Sequence, residues 1–218
     1  GLKLDVLCRR EASQGEDYES ITWRLGTPRG EYVLKRRLRA VLPLVHGSRL
    51  VVDVGVGPAT LSQHFGCEVV GCDISVSMLR QAKQRISEAV LADAECLPFR
   101  NKVFQIAFES GCLPYVRDRL QVVKEMARVS RERIITFESN RWSLRRLVAG
   151  KSSAHPSPLQ LAAYHEKLGL QPSVQLVGFA PFVQLRLFFE AWPQIERVIE
   201  RTPLIRYLCG GILVHSRL

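Results

Sequence analysis

The stretch Val51-Val52-Asp53-Val54-Gly55-Val56-Gly57-Pro58-Ala59-Thr60 (51–60) decides how the rest of the chain is read. A short apolar run, the signature of a buried strand, ends in a turn built around two glycines. The spacing of the following GPATLSQHF (57–65) predicts a helix. Glycine lets the backbone take left-handed conformations and lets a ligand approach closely. A helix starting there would offer free N–H groups to an anionic ligand. Taken alone, G-x-G is weak evidence, because many strand-to-helix turns carry glycine for packing.

Outward from this turn, strand and helix patterns alternate. Upstream, EYVLKRRLRAVLPLV (31–45) has apolar residues at helical spacing, with Lys35, Arg36, Arg37 and Arg39 largely off the stripe. Downstream, CEVVGCD (67–73) reads as a strand, VSMLRQAKQRI (76–86) as a helix and EAVLAD (88–93) as a strand. KVFQIAFE (102–109), RDRLQVVKEMARV (117–129) and ERIITFE (132–138) then read as strand, helix and strand. Short strands alternating with helices of about ten residues predict βαβ units, hence an α/β fold whose mostly parallel sheet has helices on both faces. The last third is less regular. It predicts a helix over 157–170, a strand over 173–179, one or two apolar helices over 183–202 and a closing strand over 211–218.

Composition agrees with a globular domain. The chain has 218 residues, 46% hydrophobic and 24% charged, with 15 Gly and 11 Pro, which excludes disordered and collagen-like classes. No uncharged apolar stretch is long enough for a transmembrane helix. The first twenty residues carry acids early and have no long apolar core, so no signal peptide is expected. Six cysteines without a C-x-x-C spacing predict reduced thiols and a cytoplasmic protein. The net charge is +10, carried by 24 Arg against 7 Lys. That charge fits either an acidic partner or a compositional bias.

Acidic residues stand where strands end. Asp73 closes the second predicted strand, sixteen residues after Gly57, where a carboxylate can accept both hydroxyls of a ribose. Asp93-Ala94-Glu95 follows the third strand, where an acid can accept an exocyclic adenine amine. Glu109-Ser110-Gly111 follows the fourth, where an acceptor substrate would sit. Glycine turn, ribose acid and adenine acid at consecutive strand tips form a nucleoside-binding constellation.

These segments resemble the class I S-adenosylmethionine-dependent methyltransferases, and among them the small-molecule group that includes the ubiquinone/menaquinone C-methyltransferases. VVDVGVGPATLS is similar to that family's D-x-G-x-G-x-G turn, GCDISVSML to its second-strand segment and LADAECLPF to its third. The likeness spans roughly 50–138 and continues more weakly to the C-terminus. It departs at Ala59 in place of the third glycine, at Val56 where Cys is frequent, and at Gln105 where Asp is usual. The resemblance implies a Rossmann-like seven-stranded sheet with an antiparallel last strand. It also implies S-adenosylmethionine as cofactor and S-adenosylhomocysteine as product. Asp53, Gly55, Gly57, Asp73, Ile74, Asp93, Ala94, Glu95 and Ser110 would be the cofactor-binding residues, with Asp73 at the ribose and Ile74 over the adenine. One domain would cover 1–218: a cap segment over 1–45, a cofactor-binding half over 46–138, and a substrate-side half over 139–218 with a helical insertion at about 180–208.

Three other readings compete. A nicotinamide dehydrogenase would have glycine at position 60, where Thr60 stands, and has no use for Asp93-Ala94-Glu95. A nucleic-acid methyltransferase would use the basic clusters at Lys35–Arg39, Arg117, Arg119, Arg141, Arg145, Arg146 and Lys151 to follow phosphates. Each cluster reads more readily as a solvated helix face, and the Asn/Asp-Pro-Pro-aromatic turn of base-amine methyltransferases is replaced by Glu109-Ser110-Gly111-Cys112, so no stable nucleic-acid partner is expected. The third is a binding protein without catalysis. Methyl transfer from a sulfonium needs alignment and a dry site, and a base only when the acceptor must lose a proton. Glu109 is the candidate for that base, with Glu138, Tyr115 and His155 in reserve. No metal cluster is visible. Aromatic residues of the covering segments, among them Tyr18, Trp23, Trp142, Phe179, Phe182 and Trp192, predict a small apolar or aromatic acceptor. The Phe-rich, Arg-bearing 182–206 segment adds a weak association with a membrane surface. For Gly55→Val the expectation is lost binding with the fold retained.

Overall fold

The computed structural model describes Glu19, residues 23–144, Leu147, residues 154–178, Val198, Thr202 and residues 205–218. Seven strands form one sheet: β1 (Leu50–Val54), β2 (Glu68–Asp73), β3 (Glu88–Leu91), β4 (Phe104–Ser110), β5 (Ser130–Ser139), β6 (Ser173–Val177) and β7 (Gly211–Arg217). Their order is β3-β2-β1-β4-β5-β7-β6. β7 runs antiparallel to both β5 and β6, and the other pairs are parallel. The chain steps from β1 out to β3, then returns to place β4 on the other side of β1. That reversal opens a crevice at the carboxyl ends of β1 and β4, the usual ligand position in such sheets.

Four helices flank the sheet among the described residues: α1 (Pro28–Val45), α2 (Val76–Ala82), α3 (Arg119–Val129) and α4 (Pro158–Glu166). α1 starts where Thr27 accepts the Gly30 N–H at 3.1 Å, and its apolar stripe buries Val41 and Val45 against Val51, Phe108, Ile135 and Phe137. Full burial of each valine stabilises by about 1.5–3 kcal/mol. α3 begins at the Asp118 cap and covers the opposite face with Val122, Val123, Met126 and Val129, joined there by Leu161 of α4. α2 packs Leu79 and Ala82 on Val56 and Ala59, so it supports the glycine turn.

The predicted helix over 57–65 does not form; only Ser62–His64 makes a turn of 3₁₀ helix. Gly57 and Ala59 sit at φ +53° and +60°, which no right-handed helix accommodates. The predicted helices over 76–86 and 157–170 end earlier, at Ala82 and Glu166. Apart from Val198 and Thr202, the predicted 183–202 helices lie outside the described residues, as do residues 1–18 and 20–22 of the cap segment. Gln105, the departure in β4, accepts the backbone N–H groups of Arg49 and Leu50 and donates to Glu132 at 3.0 Å, so it ties the bottom of the sheet together.

Candidate active site

The glycine turn is closed on the tip of β2. The N–H groups of Gly55 and Val56 donate to the Cys72 carbonyl at 2.8 and 2.9 Å. The Gly57 N–H donates to Asp73 Oδ2 at 2.9 Å, and the Ser75 N–H to Asp73 Oδ1 at 2.9 Å. These amides are therefore committed within the protein rather than offered to an anion, which corrects the expectation from the predicted helix. What the turn presents instead is shape and a carboxylate. A Cβ on Gly57 would meet nothing within 4 Å, so open space lies over it. At Gly55, by contrast, a Cβ would lie 2.5 Å from Cys112 Cβ.

Asp53 is buried beneath the turn, and burial raises its carboxyl to about 7, helped by the Glu109 and Asp73 carboxylates. Beside the open space, Ile74 is 56% and Leu91 61% exposed, an apolar ledge at the tips of β2 and β3. Asp93 is exposed and accepts the Glu95 N–H at 2.9 Å. Ala94 is buried in the core. Glu95 Oε1 accepts the N–H groups of Arg117 and Asp118 at 2.6 and 3.2 Å, so this carboxylate braces the start of α3.

On the α1 side, Trp23, Phe108 and Ser110 join Asp53, Gly55 and Gly57 in lining one small cavity. Arg37 donates to Ser110 Oγ at 3.0 Å, and its guanidinium lies 5.0 Å from the Trp23 ring centroid and 4.7 Å from that of Phe137. It is thus half-buried against two residues of the cavity wall, Ser110 and Trp23, not on a solvated face. Glu19 reaches across the turn: its carboxylate accepts from Arg85 at 2.6 and 2.9 Å and from Thr60 Oγ1 at 2.8 Å, while Arg85 also donates to the Pro58 carbonyl.

Two glutamates meet at the tips of β4 and β5, and neither side chain reaches solvent. Glu109 Oε1 accepts the Cys112 N–H at 2.6 Å and the Leu113 N–H at 3.4 Å; Glu138 Oε1 accepts the same Leu113 N–H at 3.0 Å. Two carboxylates sharing one donor in a dry site cannot both ionise near neutral pH. Burial pushes both upward, and Glu138 opposes Glu109 further. The pair thus keeps a proton that the unfolded chain would lose above about pH 4.3. Its stabilising contribution is present at acid pH and is lost as pH rises through the folded-state titration. Glu109→Gln, neutral at every pH, should match wild type within about 0.5 kcal/mol at pH 5 and exceed it by about 2 kcal/mol at pH 8.5, the cost of burying an ion. Urea melts at both pH values check this; an equal difference at the two would rule out the shared proton.

The sequence has relatives of known activity. Residues 52–133 match the family model described as "Methyltransferase domain". The demethylmenaquinone methyltransferase of Corynebacterium kroppenstedtii is 31% identical over 179 residues, covering 77% of this chain and 73% of that protein. The chain belongs to the class I S-adenosylmethionine-dependent methyltransferases. The malonyl-[acyl-carrier protein] O-methyltransferase of Pseudescherichia vulneris is 36% identical over 86 residues, but the match spans only 37% of this chain and 34% of that protein. A Thermotoga maritima structure described as a SAM-dependent methyltransferase, possible histamine N-methyltransferase, superposes with a TM-score of 0.65 at 15% identity, over 93% of each chain. The magnesium protoporphyrin IX methyltransferase of Synechocystis, with bound SAM, gives 0.66 at 12% identity, over 98% and 96%. These two likenesses are of fold.

Within this methyltransferase, the residues singled out from sequence fall into two groups. Asp53, Gly55, Gly57 and Ser110 line one cavity, Asp73 is bonded to the Gly57 N–H, and Ile74 and Asp93 are exposed just beyond the ends of β2 and β3. The Ala94 side chain and the Glu95 carboxylate are engaged elsewhere. Missed from sequence were Arg37, Thr60 and the Glu19–Arg85 pair, since pairing between residues 66 apart leaves no local signal. The cradle also suits the family's cofactor. Open space over Gly57, a carboxylate beside it and an apolar ledge match a sugar, its hydroxyls and a flat base.

Proposed function

We propose that the chain binds S-adenosylmethionine in the crevice over β1, β2 and β4 and transfers its methyl group to a small apolar or aromatic acceptor, leaving S-adenosylhomocysteine. The observation that carries this is the 2.9 Å bond between the Gly57 N–H and Asp73, which joins ribose acid and glycine turn into one cradle. When bound, the cofactor supplies a methyl on a sulfonium, open to one-step displacement. Asp73 would hold the ribose hydroxyls through its remaining lone pairs. Ile74 would cover the base, Asp93 would take its amine, and Asp53, beneath the turn, would face the amino-acid end. Gly57 allows close approach, and Gly55 lets the turn pack on Cys112. Ser110, held by Arg37, stands between cofactor and acceptor, and the aromatic wall of Trp23 and Phe108 keeps water out.

An aromatic acceptor is supported by the quinone-type relatives and by that wall. Two arginines that a phosphate-binding reading would use are engaged within the protein: Arg37 as above, and Arg119 on the carbonyls of Leu113 and Ala154. Among the described residues no helix is long and apolar enough to cross a membrane. The proposal keeps a cytoplasmic protein that touches membranes weakly through 182–206, which lies outside the described residues. Failure to sediment with anionic liposomes would remove that part.

Titration calorimetry with S-adenosylmethionine and S-adenosylhomocysteine tests the cofactor. Micromolar binding of either is expected. No binding to a folded protein would overturn the proposal in favour of a scaffold without catalysis.

A further inference from the structure

Ser110 closes β4 half-buried in the wall of the small cavity, which Trp23 and Phe108 also line. A hydroxyl has one hydrogen to give and two lone pairs to offer. Arg37 donates to Ser110 Oγ at 3.0 Å, and the Ser110 side chain makes no other hydrogen bond among the described residues. Its O–H is left for a partner in the cavity. The guanidinium behind it lies 5.0 and 4.7 Å from the Trp23 and Phe137 ring centroids. Rings in place of water leave that charge weakly screened. Its reach shows at Glu138, where burial raises the carboxyl and Arg37 is among the groups that oppose the rise. Ser110 is thus a donor backed by a cation, suited to an anionic oxygen. A base is what the cavity wall lacks. Among the described lining residues Asp53 alone titrates, and it lies beneath the glycine turn, where it would face the cofactor's amino-acid end. Glu109 is fully buried, with Oε1 on the Cys112 and Leu113 N–H groups, and is not among the lining residues.

We propose that the acceptor enters as an oxyanion, a phenolate on a small aromatic body, that the Ser110 hydroxyl donates to this oxygen and sets the specificity, and that Arg37 is the positioning residue behind it. This rests on the methyl-transfer reading above. The phenol leaves its proton in water before entry. Trp23 and Phe108 supply an apolar wall for the ring. The phenolate oxygen gives a lone pair to the methyl carbon as the carbon–sulfur bond breaks, and the electrons of that bond return to sulfur. One negative and one positive charge disappear together, leaving a neutral aryl methyl ether and S-adenosylhomocysteine. No protein group gains or loses a proton. Because the oxygen loses charge during the transfer, the bond from Ser110 is stronger before the step than within it. It therefore selects the acceptor and does not speed the chemistry.

The first arm uses 4-nitrophenol, whose anion and neutral form differ in colour, with protein loaded with S-adenosylhomocysteine. Wild type should bind the anion about tenfold more tightly than the phenol, so the anion's colour persists to lower pH in the bound probe. Ser110→Ala and Arg37→Met should each weaken anion binding about tenfold and leave the neutral form within about threefold. Arg37→Lys keeps the charge and should restore part of the preference. Equal binding of both forms by wild type, a preference unmoved by the variants, loss of both forms together, or no binding of the probe overturns the proposal. The cofactor's carboxylate is the other oxyanion that this donor can read. S-adenosylhomocysteine affinity should stay within about threefold in Ser110→Ala, and a tenfold fall would assign the hydroxyl to the cofactor instead. In the second arm, kcat/KM with S-adenosylmethionine should rise with pH to a plateau set by each acceptor's own acidity, at lower pH for 4-nitrophenol than for phenol. Asp53, Glu109, Cys112, Glu138 and Arg37, the charged or titratable groups about the β4 tip, would give both acceptors one profile, and a shared midpoint overturns the proposal. Ser110→Ala should raise KM about tenfold and leave kcat within about threefold. Failure of folded wild type to bind S-adenosylhomocysteine would instead refute the methyl-transfer reading.

Discussion

Gly55→Val is expected to destabilise the fold by about 3–5 kcal/mol, from left-handed strain of about 1–3 kcal/mol and overpacking of a similar size. The residue sits at φ +71°, and a Cβ there would lie 2.5 Å from Cys112 Cβ and 2.7 Å from its Sγ. Cys112 cannot swing aside cheaply, because its own N–H is held by Glu109 at 2.6 Å. The sequence alone predicts a milder result, a folded protein unable to bind cofactor, because a glycine in such a turn reads as facing the ligand. The structure makes Gly57 the glycine that faces open space and Gly55 the one that faces the β4 loop. Urea denaturation of Gly55→Val and of Gly55→Val with Cys112→Gly separates the two contributions. The double variant should recover the packing part and keep the backbone strain. A single variant within about 1 kcal/mol of wild type would contradict this assignment.

Asp73→Ala is expected to weaken S-adenosylmethionine binding by about 2 kcal/mol or more, a fall in affinity of about 30-fold. Two losses contribute. The carboxylate no longer accepts ribose hydroxyls, and the Gly57 and Ser75 N–H groups lose their acceptor, so the cradle itself loosens. Burial raises the Asp73 carboxyl above the usual carboxylate range, and the N–H groups of Ser75, Gly57 and Ile74 oppose that rise. Asp73→Asn keeps one acceptor oxygen and should fall between wild type and Asp73→Ala. Calorimetry on the three proteins decides; affinity within threefold of wild type in Asp73→Ala would remove Asp73 from the cofactor site.

Much of this protein was legible along the chain. Alternating apolar runs and helical stripes reveal the strands and helices directly, because their periods of 2 and 3.6 residues are local properties. The acids at strand tips were legible for the same reason, since a strand's end marks the carboxyl edge of a parallel sheet. The family resemblance rested on such local words. The comparison with known proteins agrees with it at the level of family, cofactor class and fold.

Other features needed the tertiary structure. Whether 57–65 is helical turned on Ala59 at φ +60°, a conformation that non-glycine residues seldom take and that pattern reading does not anticipate. Arg37 belongs by sequence to a run of basic residues on α1, and only the fold sets it over Trp23 and Phe137. By sequence Glu109 and Glu138 are separate strand-end acids, each a candidate base, with nothing to bring them together. The β4–β5 register, in which Glu109 faces Thr136 two residues before Glu138, is what puts both acids on one face and on one N–H group. Local sequence determines which residues stand at the tips of strands, because backbone periodicity acts over a few residues. Which tips meet, and so whether a carboxyl keeps its proton, is decided by distance and burial, which exist only once the sheet has closed.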